Sequence, residues 1–449
     1  MLSHGKQQNV SSMEGNRSIT GIYDRGIGVA GDHTRVMEVD DHGIGIIGDH
    51  NRIVHAMGSM TINVSRDRER SLRRVSENIR NCDLFIRDKV SDFVGRAFVF
   101  TWIENFMKRN SRGYLFIRGD PGIGKSSLMA QMVLTRGYIH HFNIRSEGIN
   151  TAEMFLKNVC AQLIVSYDLG YESLPDVRDP GCFQRLLSEA SSKSKGENVV
   201  ILIDALDEAD NTQPEGVNPL YIPSSVPEGV YIVITMRKTR IPPRIIHFEQ
   251  KDIENDSNEN IADVREYIMK CVRKKSIAEY VKKQEKPEAF MEGISGKSEY
   301  NFIYLYYVFL DIEKGSYKDM GIESFPQGLE NYYEDHWKRM KSKDERKWFK
   351  YSLPVLTALV VLRYSVTANM ILASSPIQDV YRVTDVLDEW SQFLREGSMK
   401  EENGISPTYR IYHMDFYEFI VNKKHIKGER VDLISTSRRI ANLASPDLF

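Results

Sequence analysis

The chain of 449 residues is poor in cysteine, in long apolar runs and in net charge of either sign. Its four cysteines include no CxxC pair, which argues against a disulfide scaffold and a cysteine zinc site and favours a reducing compartment. The longest apolar run, Leu353–Leu362, is interrupted by Pro354 and Thr357 and is too short to span a bilayer. The first residues, Met1–Val10, lack the apolar core of a signal peptide. We therefore expect a cytoplasmic protein without a membrane span.

Charge is nearly balanced, with 60 Lys and Arg against 62 Asp and Glu and a formal net charge of −2. A hydrophobic share of 41 % is that of a globular protein and argues against a chain that is disordered throughout. The balanced charge gives no sign of a globally basic nucleic-acid binder, although a local basic patch is compatible with it. The length indicates about three domains.

Glycine and histidine are concentrated in the first 65 residues, where a near-repeat occurs. Gly26–Val36 is echoed 17 residues later by Gly43–Ile53, and each unit reads as a short strand, a Gly-Asp-His corner and a second strand. This pattern is typical of stacked β-rungs. Such a small number of rungs is not stable on its own. We therefore expect residues 1–65 to pair with copies of themselves or to dock on a partner. A disordered Gly-rich tail is the alternative, and the Asp-His pairs are interpreted as corner residues rather than metal ligands.

The pattern of the chain changes twice after this repeat. Arg66–Arg80 is dense in charge with its apolar positions on one helical face, so we predict a linker helix over residues 66–84. From Gly113 short apolar runs alternate with helical patterns, which indicates a parallel sheet with helices on both faces. The predicted strands are Tyr114–Ile117, Tyr138–Ile144, Asn198–Ile203 and Val230–Thr235, and the predicted helices are Thr151–Tyr167, Phe183–Ser191 and one that begins near Ser126. Beyond about residue 255 helical patterns dominate.

Gly119–Ser126 matches the P-loop pattern GxxxxGK[ST] in full and lies between a predicted strand and a predicted helix. Its glycines allow backbone N–H groups to surround phosphates, and the helix N-terminus adds a favourable dipole. Lys125 is expected to reach the β- and γ-phosphates, and the Ser126 hydroxyl to ligate Mg²⁺. The pattern therefore predicts ATP/ADP and Mg²⁺ as cofactors.

An acidic residue follows the buried strand Val199–Ile203, and this residue, Asp204, is the expected second Mg²⁺ ligand. Ala205 comes next, and Asp207 and Glu208 lie three and four positions after the metal ligand. Either of these two carboxylates can orient or deprotonate an attacking water. The sequence leaves open which of them is the base.

A third apolar strand, Val230–Thr235, is followed by Met236 and Arg237. An arginine at the carboxyl end of a strand beside the P-loop strand is placed to sense a γ-phosphate. Lys238 and Arg240 are close rivals for this role.

Seven segments in a fixed order carry a resemblance to a known class of ATPases. They are Phe93–Arg96, Asp204–Glu208, Thr235–Arg237, Asn260–Ile268, Tyr300–Tyr304, Phe325–Leu329 and Tyr412–Ile420. The chain from about Phe85 to Asn422 resembles the STAND class of P-loop ATPases, specifically the NACHT-like modules of bacterial signalling and antiphage proteins. Asp204–Glu208, with its small Ala205, is the most specific sign. Met236 departs from the usual Thr-Ser-Arg sensor but leaves the arginine in place.

The resemblance implies an α/β P-loop NTPase domain followed by helical and winged-helix domains. The implied division is a β-repeat over 1–65, a linker helix over 66–84, a P-loop domain over 85–250, a helical domain over 251–325, a winged-helix domain over 326–425 and a tail over 426–449. It also implies that His413 contacts the β-phosphate of ADP, whereas core packing is the default for a lone histidine. The residues expected to bind nucleotide are Val94, Gly95, Arg96, Gly119, Pro121, Gly122, Ile123, Gly124, Lys125, Ser126, Ser127 and His413, and the expected catalytic residues are Lys125, Asp204, Asp207, Glu208 and Arg237.

Modules of this class imply a signalling switch. ADP holds the helical and winged-helix domains over the nucleotide, ATP releases them and allows homo-oligomerisation, and slow hydrolysis resets the signal. Relatives usually continue into a long sensor array, whereas few residues follow the winged-helix motif here. Sensing is therefore expected in the N-terminal repeat, in the nucleotide-binding module itself or in a separate protein. The resemblance implies a separate effector, a separate sensor or both, with a phage-derived trigger and an N-terminal repeat that recruits the effector.

Two other functions remain open at this stage. The first is an AAA+-like remodelling or DNA-loading ATPase whose winged helix contacts DNA, which the near-neutral charge mildly disfavours. The second is a filament-forming assembly protein in which the N-terminal rungs form the filament and ATP regulates it.

Overall fold

The computed structural model describes four short strands before residue 66 and then residues 66–423, except 180, 211–217, 241–242, 244, 285, 318–320, 363 and 402–403. The N-terminal strands are β1 (Ile19–Tyr23), β2 (Gly26–Ala30), β3 (Ile44–Ile46) and β4 (Ile53–His55). β3 and β4 form an antiparallel pair across the corner of the second repeat unit, whereas β2 pairs with the preceding β1. The corners with their Asp-His pairs lie outside the described residues, so the rung hypothesis stays a prediction.

A five-stranded parallel sheet with the order β6-β7-β8-β5-β9 follows. Its strands are β5 (Gly113–Gly119), β6 (Ile139–Phe142), β7 (Val199–Asp204), β8 (Val230–Met236) and β9 (Phe248–Ile253). β7 and β8 are buried along their whole length, as expected for strands that are covered on both faces. The parallel sheet expected from the sequence is confirmed, and β8 lies between β7 and the P-loop strand β5.

Helices cover both faces of this sheet because successive side chains of a strand point to opposite sides. They are α1 (Arg66–Ser76), α2 (Asp83–Val90), α3 (Ala97–Arg109), α4 (Lys125–Arg136), α5 (Ala152–Ser166) and α6 (Cys182–Lys193). Tyr114 and Phe116 of β5 share a core with α1, α5 and α6, while Leu115 and Ile117 share another with α2, α3 and α4. In place of the single predicted linker helix there are two helices, α1 and α2, and both pack into the cores of the sheet domain.

Strand β9 corrects the expected extent of the P-loop domain. It pairs with β5 at the edge of the sheet and runs to Ile253, so the expected boundary between residues 250 and 251 falls inside it. As an edge strand it is half exposed, and Glu249, Lys251 and Asp252 interrupt its apolar residues. The sequence therefore shows neither an apolar run nor an apolar alternation here.

Helices dominate from Asn258 to Asn422, as predicted, and share one hydrophobic core with a small antiparallel sheet. The helices are α7 (Asn258–Cys271), α8 (Lys275–Lys282), α9 (Pro287–Lys297), α10 (Phe302–Glu313), α11 (Gly328–Lys343), α12 (Glu345–Lys347), α13 (Leu353–Leu362), α14 (Ala368–Ser374), α15 (Val380–Glu389) and α16 (Met414–Asn422). The strands are β10 (Val366–Thr367), β11 (Leu394–Glu401) and β12 (Gly404–Ile411), in the order β10-β12-β11. β10, α14, α15 and the hairpin of β11 and β12 have the element order of a winged helix, and together with α16 they are called the winged-helix segment.

The longest apolar run of the sequence forms α13, which is buried in the C-terminal core. A π-helical turn, Trp348–Ser352, leads into it without a break, and Pro354 follows directly after that turn. Across the part of the chain that the structure describes, no helix has both the length and the apolarity that crossing a bilayer requires.

Candidate functional site

A cavity of about 270 Å³ lies at the carboxyl ends of β5, β7 and β8, where the sheet domain faces the C-terminal helices. One wall comes from the P-loop and from the residues that follow β6, β7 and β8. The opposite wall comes from α7, α10 and the junction of β12 with α16. Open α/β sheets bind their ligands at this edge, where the loops after the strands converge.

The P-loop joins β5 to α4 and takes the conformation that its glycines allow. Gly122 and Gly124 have φ of +78° and +92°, a region that side chains with a Cβ rarely adopt. α4 begins at Lys125, so its N-terminus faces the cavity, which Ser126 and Ser127 also line. Such a loop, opening onto a helix N-terminus, is suited to an anionic phosphate chain.

The Lys125 ammonium lies in the loop, where its Nζ donates to the carbonyl oxygens of Gly119 at 2.8 Å and Asp120 at 3.0 Å. Burial lowers the pKa of Lys125, while the negative charges of Asp207 and Asp204 oppose that shift. The charge of this lysine is thus balanced by carboxylates that line the same cavity.

α10 and its cap residue hold the P-loop from the opposite wall of the cavity. Asn301 caps α10 by accepting from the backbone N–H groups of Ile303 and Tyr304, and its Nδ2 donates to the Pro121 carbonyl at 2.8 Å. A Cβ on Gly122 would lie 2.5 Å from the Asn301 Oδ1, so only glycine fits here without displacing this cap. The conformation of the P-loop is thereby tied to the position of α10.

Asp204 and Ser126 meet at the end of the cavity that the P-loop lines. The buried Asp204 carboxyl accepts from the Thr235 hydroxyl at 2.5 Å and from the Ser126 hydroxyl. Burial raises the pKa of Asp204, and these donors and Lys125 counteract that shift. A carboxylate beside a hydroxyl is an oxygen donor set that suits Mg²⁺, which takes few protein ligands and completes its shell with phosphate and water. The two residues therefore fit the expected metal.

Asp207 and Glu208 follow in a 3₁₀ turn after β7, which Arg145 holds in place. The Arg145 backbone N–H donates to the Glu208 carboxylate at 3.1 Å, and its guanidinium donates to the carbonyls of Asp207 and Glu208. Burial raises the pKa of Glu208 to about 7; the Arg145 amide and Arg237 counteract the shift, and the charges of Asp207 and Asp204 add to it. A carboxyl group titrating near neutral pH has the proton affinity of a general base.

Arg237 lies at the end of β8 and contacts three carboxylates from both walls of the cavity. Its Nε is 3.1 Å from Asp207, its Nη2 is 3.5 Å from Asp415 and its Nη1 is 2.7 Å from Glu418. Asp415 and Glu418 belong to α16, so this arginine joins the sheet domain to the winged-helix segment. Its two rivals do not line the cavity, since Lys238 pairs instead with Asp120 and Glu254, and Arg240 lies on the exposed surface.

The Val94-Gly95-Arg96 element is held by α7. Arg96 is buried, and its Nη1 lies 2.8 Å from the Asn260 Oδ1 and 3.2 Å from the Asp263 carboxylate. Burial lowers the pKa of Arg96 to about 10, with Asp263 opposing the shift. A Cβ on Gly95 would lie 2.0 Å from the Asp263 carboxylate, so this close approach requires glycine. Val94 packs against the C-terminal core and lines the cavity.

His413 caps α16 and lines the cavity. Its Nδ1 lies 2.7 Å from the Asp415 carboxylate, which leaves Nε2 as its other ring donor or acceptor. Burial opposes ionisation of Asp415, but the charges of His413 and Arg237 prevail and hold its pKa below the ordinary value. The His413 ring thus contacts the Asp415 carboxylate at the cavity wall rather than packing in the core.

The cavity brings together most of the residues that the sequence singled out. Those that line it are Val94, Arg96, Pro121, Gly122, Gly124, Lys125, Ser126, Ser127, Asp204, Asp207, Glu208, Arg237 and His413. Gly95, Gly119 and Ile123 do not line it, and Ile123 is fully buried in the core. Sequence reasoning missed Asn143 and Arg145, because the predicted strand Tyr138–Ile144 includes the first, whereas β6 ends at Phe142. A polar residue at that position was the available signal.

The family model described as Nephrocystin 3, N-terminal, matches residues 96–237. No curated protein matches the chain. Among solved structures, a STAND protein with a tetratricopeptide repeat sensor from Pyrococcus horikoshii is 16 % identical, with a TM-score of 0.40 over 79 % of this chain and 49 % of that one. The Thermotoga maritima RuvB Holliday junction branch migration motor is 14 % identical, with a TM-score of 0.27 over 77 % of this chain and 99 % of that one.

The chain thus spans about half the length of the STAND protein that it matches. Similarities to solved structures at these levels assign neither function nor partners. The matched family segment begins at the buried Arg96, contains the P-loop and Asp204, and ends at Arg237. This match, together with the strand order and the complete P-loop, agrees with the expected P-loop NTPase fold of this domain, and the STAND class stays a prediction.

Proposed function

We propose that this protein is an ATP/ADP-operated signalling switch that oligomerises when activated. Its setting in bacterial antiphage defence, with a phage-derived trigger, is inferred from the resemblance to NACHT-like modules. ADP favours the arrangement in which the winged-helix segment closes over the nucleotide, and ATP favours its release.

The observation that carries the proposal is the position of Arg237. Its guanidinium contacts Asp207 on the sheet side and Asp415 and Glu418 on the winged-helix side. An added γ-phosphate offers the same guanidinium a competing anion, because arginine binds phosphate through the donors that it uses for carboxylates. Binding ATP in place of ADP would therefore weaken the contacts that hold α16.

The chain supplies the groups that slow ATP hydrolysis requires. Lys125 would bind the phosphate chain, and Ser126 and Asp204 would hold Mg²⁺, which would supply charge neutralisation on the phosphate oxygens. Glu208 is the preferred general base because burial brings its pKa to about 7. Asp207 is paired with Arg237 and is therefore assigned to the switch.

A second set of contacts connects the winged-helix segment with the helices that follow the N-terminal repeat. Glu147 pairs with Arg80 at 2.7 Å and also with Arg410 of β12. Lys89 of α2 donates to the Tyr412 hydroxyl at 2.9 Å. Release of β12 and α16 would break the contacts of Arg410 with Glu147 and of Tyr412 with Lys89 and so carry the signal toward residues 1–65, which we propose recruit a separate effector.

Sizing the full chain by light scattering with ADP, and then with ATP and a candidate trigger, tests the proposal. We expect a monomer with ADP and a larger assembly in the activated state, and no assembly for Lys125→Ala, which loses the phosphate-binding ammonium. A monomer under every condition contradicts the switch. A salt-dependent affinity for DNA, or stimulation of turnover by DNA, would favour the DNA-loading alternative instead.

A further inference from the structure

Asn143 lies directly after β6 and lines the cavity beside β7. Its side chain is buried, with 2 % of the residue exposed. Its backbone N–H and its Nδ2 both donate to the carbonyl oxygen of Asp204, at 3.2 Å and 2.7 Å. Its Oδ1 has no hydrogen-bond partner.

The orientation of this amide follows from its neighbour. The Asp204 carbonyl oxygen only accepts hydrogen bonds, so the amide atom that faces it must be Nδ2, and Oδ1 is left over. Buried acceptors without partners are rare and require an explanation. Among the described residues that line the cavity, only Asn143 and Asp415 have such an atom, and that of Asp415 lies 2.7 Å from the His413 Nδ1.

Asn143 and Glu208 are brought to the same place by one short connection. β6 pairs with β7 so that Phe142 lies opposite Asp204, which puts Asn143 at the carboxyl edge of the sheet. Two residues later, the Arg145 backbone N–H holds the Glu208 carboxylate at 3.1 Å. Asn143 and Glu208 therefore line one cavity, with Asn143 held by the last residue of β7 and Glu208 held by the Arg145 amide two residues after Asn143.

We propose that Asn143 is a catalytic residue for ATP hydrolysis, in which its Oδ1 accepts a hydrogen bond from the attacking water. The inference rests on the proposed ATPase function. One hydrogen of the water is held by Asn143 and the other by Glu208, which leaves an oxygen lone pair for the terminal phosphorus. As the new O–P bond forms, Glu208 takes the proton, and the bond to the leaving ADP oxygen breaks with its electron pair going to ADP.

The test compares Asn143→Ala with a matched control, Asn158→Ala. Asn158 is also a buried asparagine, and its Nδ2 donates to the His140 carbonyl of β6 at 2.9 Å, but it does not line the cavity. We expect Asn143→Ala to lower kcat about 10- to 100-fold while KM and the affinity for a fluorescent ATP analogue change less than about threefold. Asn158→Ala is expected to keep the kcat of the wild type. Combining Asn143→Ala with Glu208→Gln should lower kcat no further than the worse single variant, because both residues act on one water.

Where Asn143→Ala is too unstable, Asn143→Ser replaces it, since the shorter hydroxyl reaches the Asp204 carbonyl or the water but not both. A kcat within about threefold of the wild type for a folded Asn143 variant overturns this inference alone. An equal loss in Asn158→Ala also overturns it, because the effect is then structural. Absence of turnover in the wild-type protein overturns the proposed ATPase function together with the inference.

Discussion

Replacing Asp415 with asparagine tests whether charge holds the winged-helix segment against the sheet domain. The carboxylate lies 2.7 Å from the His413 Nδ1 and 3.5 Å from the Arg237 Nη2, and its side chain is 11 % exposed. The pKa of Asp415 is held below its ordinary value, so the group is charged at neutral pH, and asparagine removes that charge at nearly constant volume. His413 belongs to the same segment as Asp415, so only the ion pair with Arg237 reaches the sheet domain. Because close charge pairs couple by about 1.5–7 kcal/mol, we expect the closed arrangement to lose about 2 kcal/mol. That corresponds to roughly a 30-fold shift toward the open arrangement.

The release of a fluorescent ADP analogue, chased with unlabelled ADP, measures this shift. If opening limits release, Asp415→Asn should release the analogue roughly 30-fold faster than the wild type. Because His413 is also expected to contact ADP, hydrogen–deuterium exchange is measured in parallel without nucleotide. Faster exchange over residues 404–422 then reports undocking of β12 and α16 independently of ADP.

Glu418→Gln is the matched control. Glu418 also pairs with Arg237, at 2.7 Å, but its side chain is 43 % exposed, and exposed pairs contribute only about 0.2–1 kcal/mol. Its effect on release should therefore stay below about fivefold. Combining Asp415→Asn with Arg237→Met should give less than the sum of the two effects, because both remove one contact. Release within about twofold of the wild type in folded Asp415→Asn, with unchanged exchange, would refute the reasoning.

Two further predictions concern the P-loop and the base. Gly122→Ala should weaken nucleotide binding at least about tenfold in a fluorescence titration, because its Cβ would lie 2.5 Å from the Asn301 Oδ1. Gly170→Ala, where φ is +88° with nothing within 4 Å, should cost only about 1 kcal/mol of stability, and equal losses of affinity would contradict the clash. With the pKa of Glu208 raised to about 7, kcat at saturating ATP should fall as pH drops below that value, since the protonated carboxyl cannot accept a proton. A rate that stays flat from about pH 5.5 to 8 would exclude this carboxyl as the base.

The buried strands and the P-loop could be predicted because both have short-range signatures. β7 and β8 are covered on both faces, so they are continuous apolar runs that are visible without tertiary information. The P-loop is a local pattern whose strand and helix neighbours are also local. The sequence did not predict strand β9, because an edge strand keeps one face exposed and the charged residues of β9 leave no apolar run.

The cavity contains contacts between residues that are far apart in the chain, and no local sequence pattern predicts such contacts. Sequence reasoning expected Arg237 to sense a γ-phosphate, but Asp415 and Glu418 are far along the chain, and no local pattern pairs them with it. Asn143 was assigned to a strand, and only the end of β6 at Phe142 puts it at the cavity.

The sequence by itself determined the chemistry that is available: a phosphate loop, a carboxylate at the end of a buried strand, and an arginine after the neighbouring strand. These features are local because each depends on a turn or on the end of one strand. Only the tertiary structure decided which charges meet, namely Arg237 with the carboxylates of α16 and Glu147 with both Arg80 and Arg410. The physical reason is that ion pairs act through space over a few ångströms, and the folding of three separate segments around one cavity sets those distances.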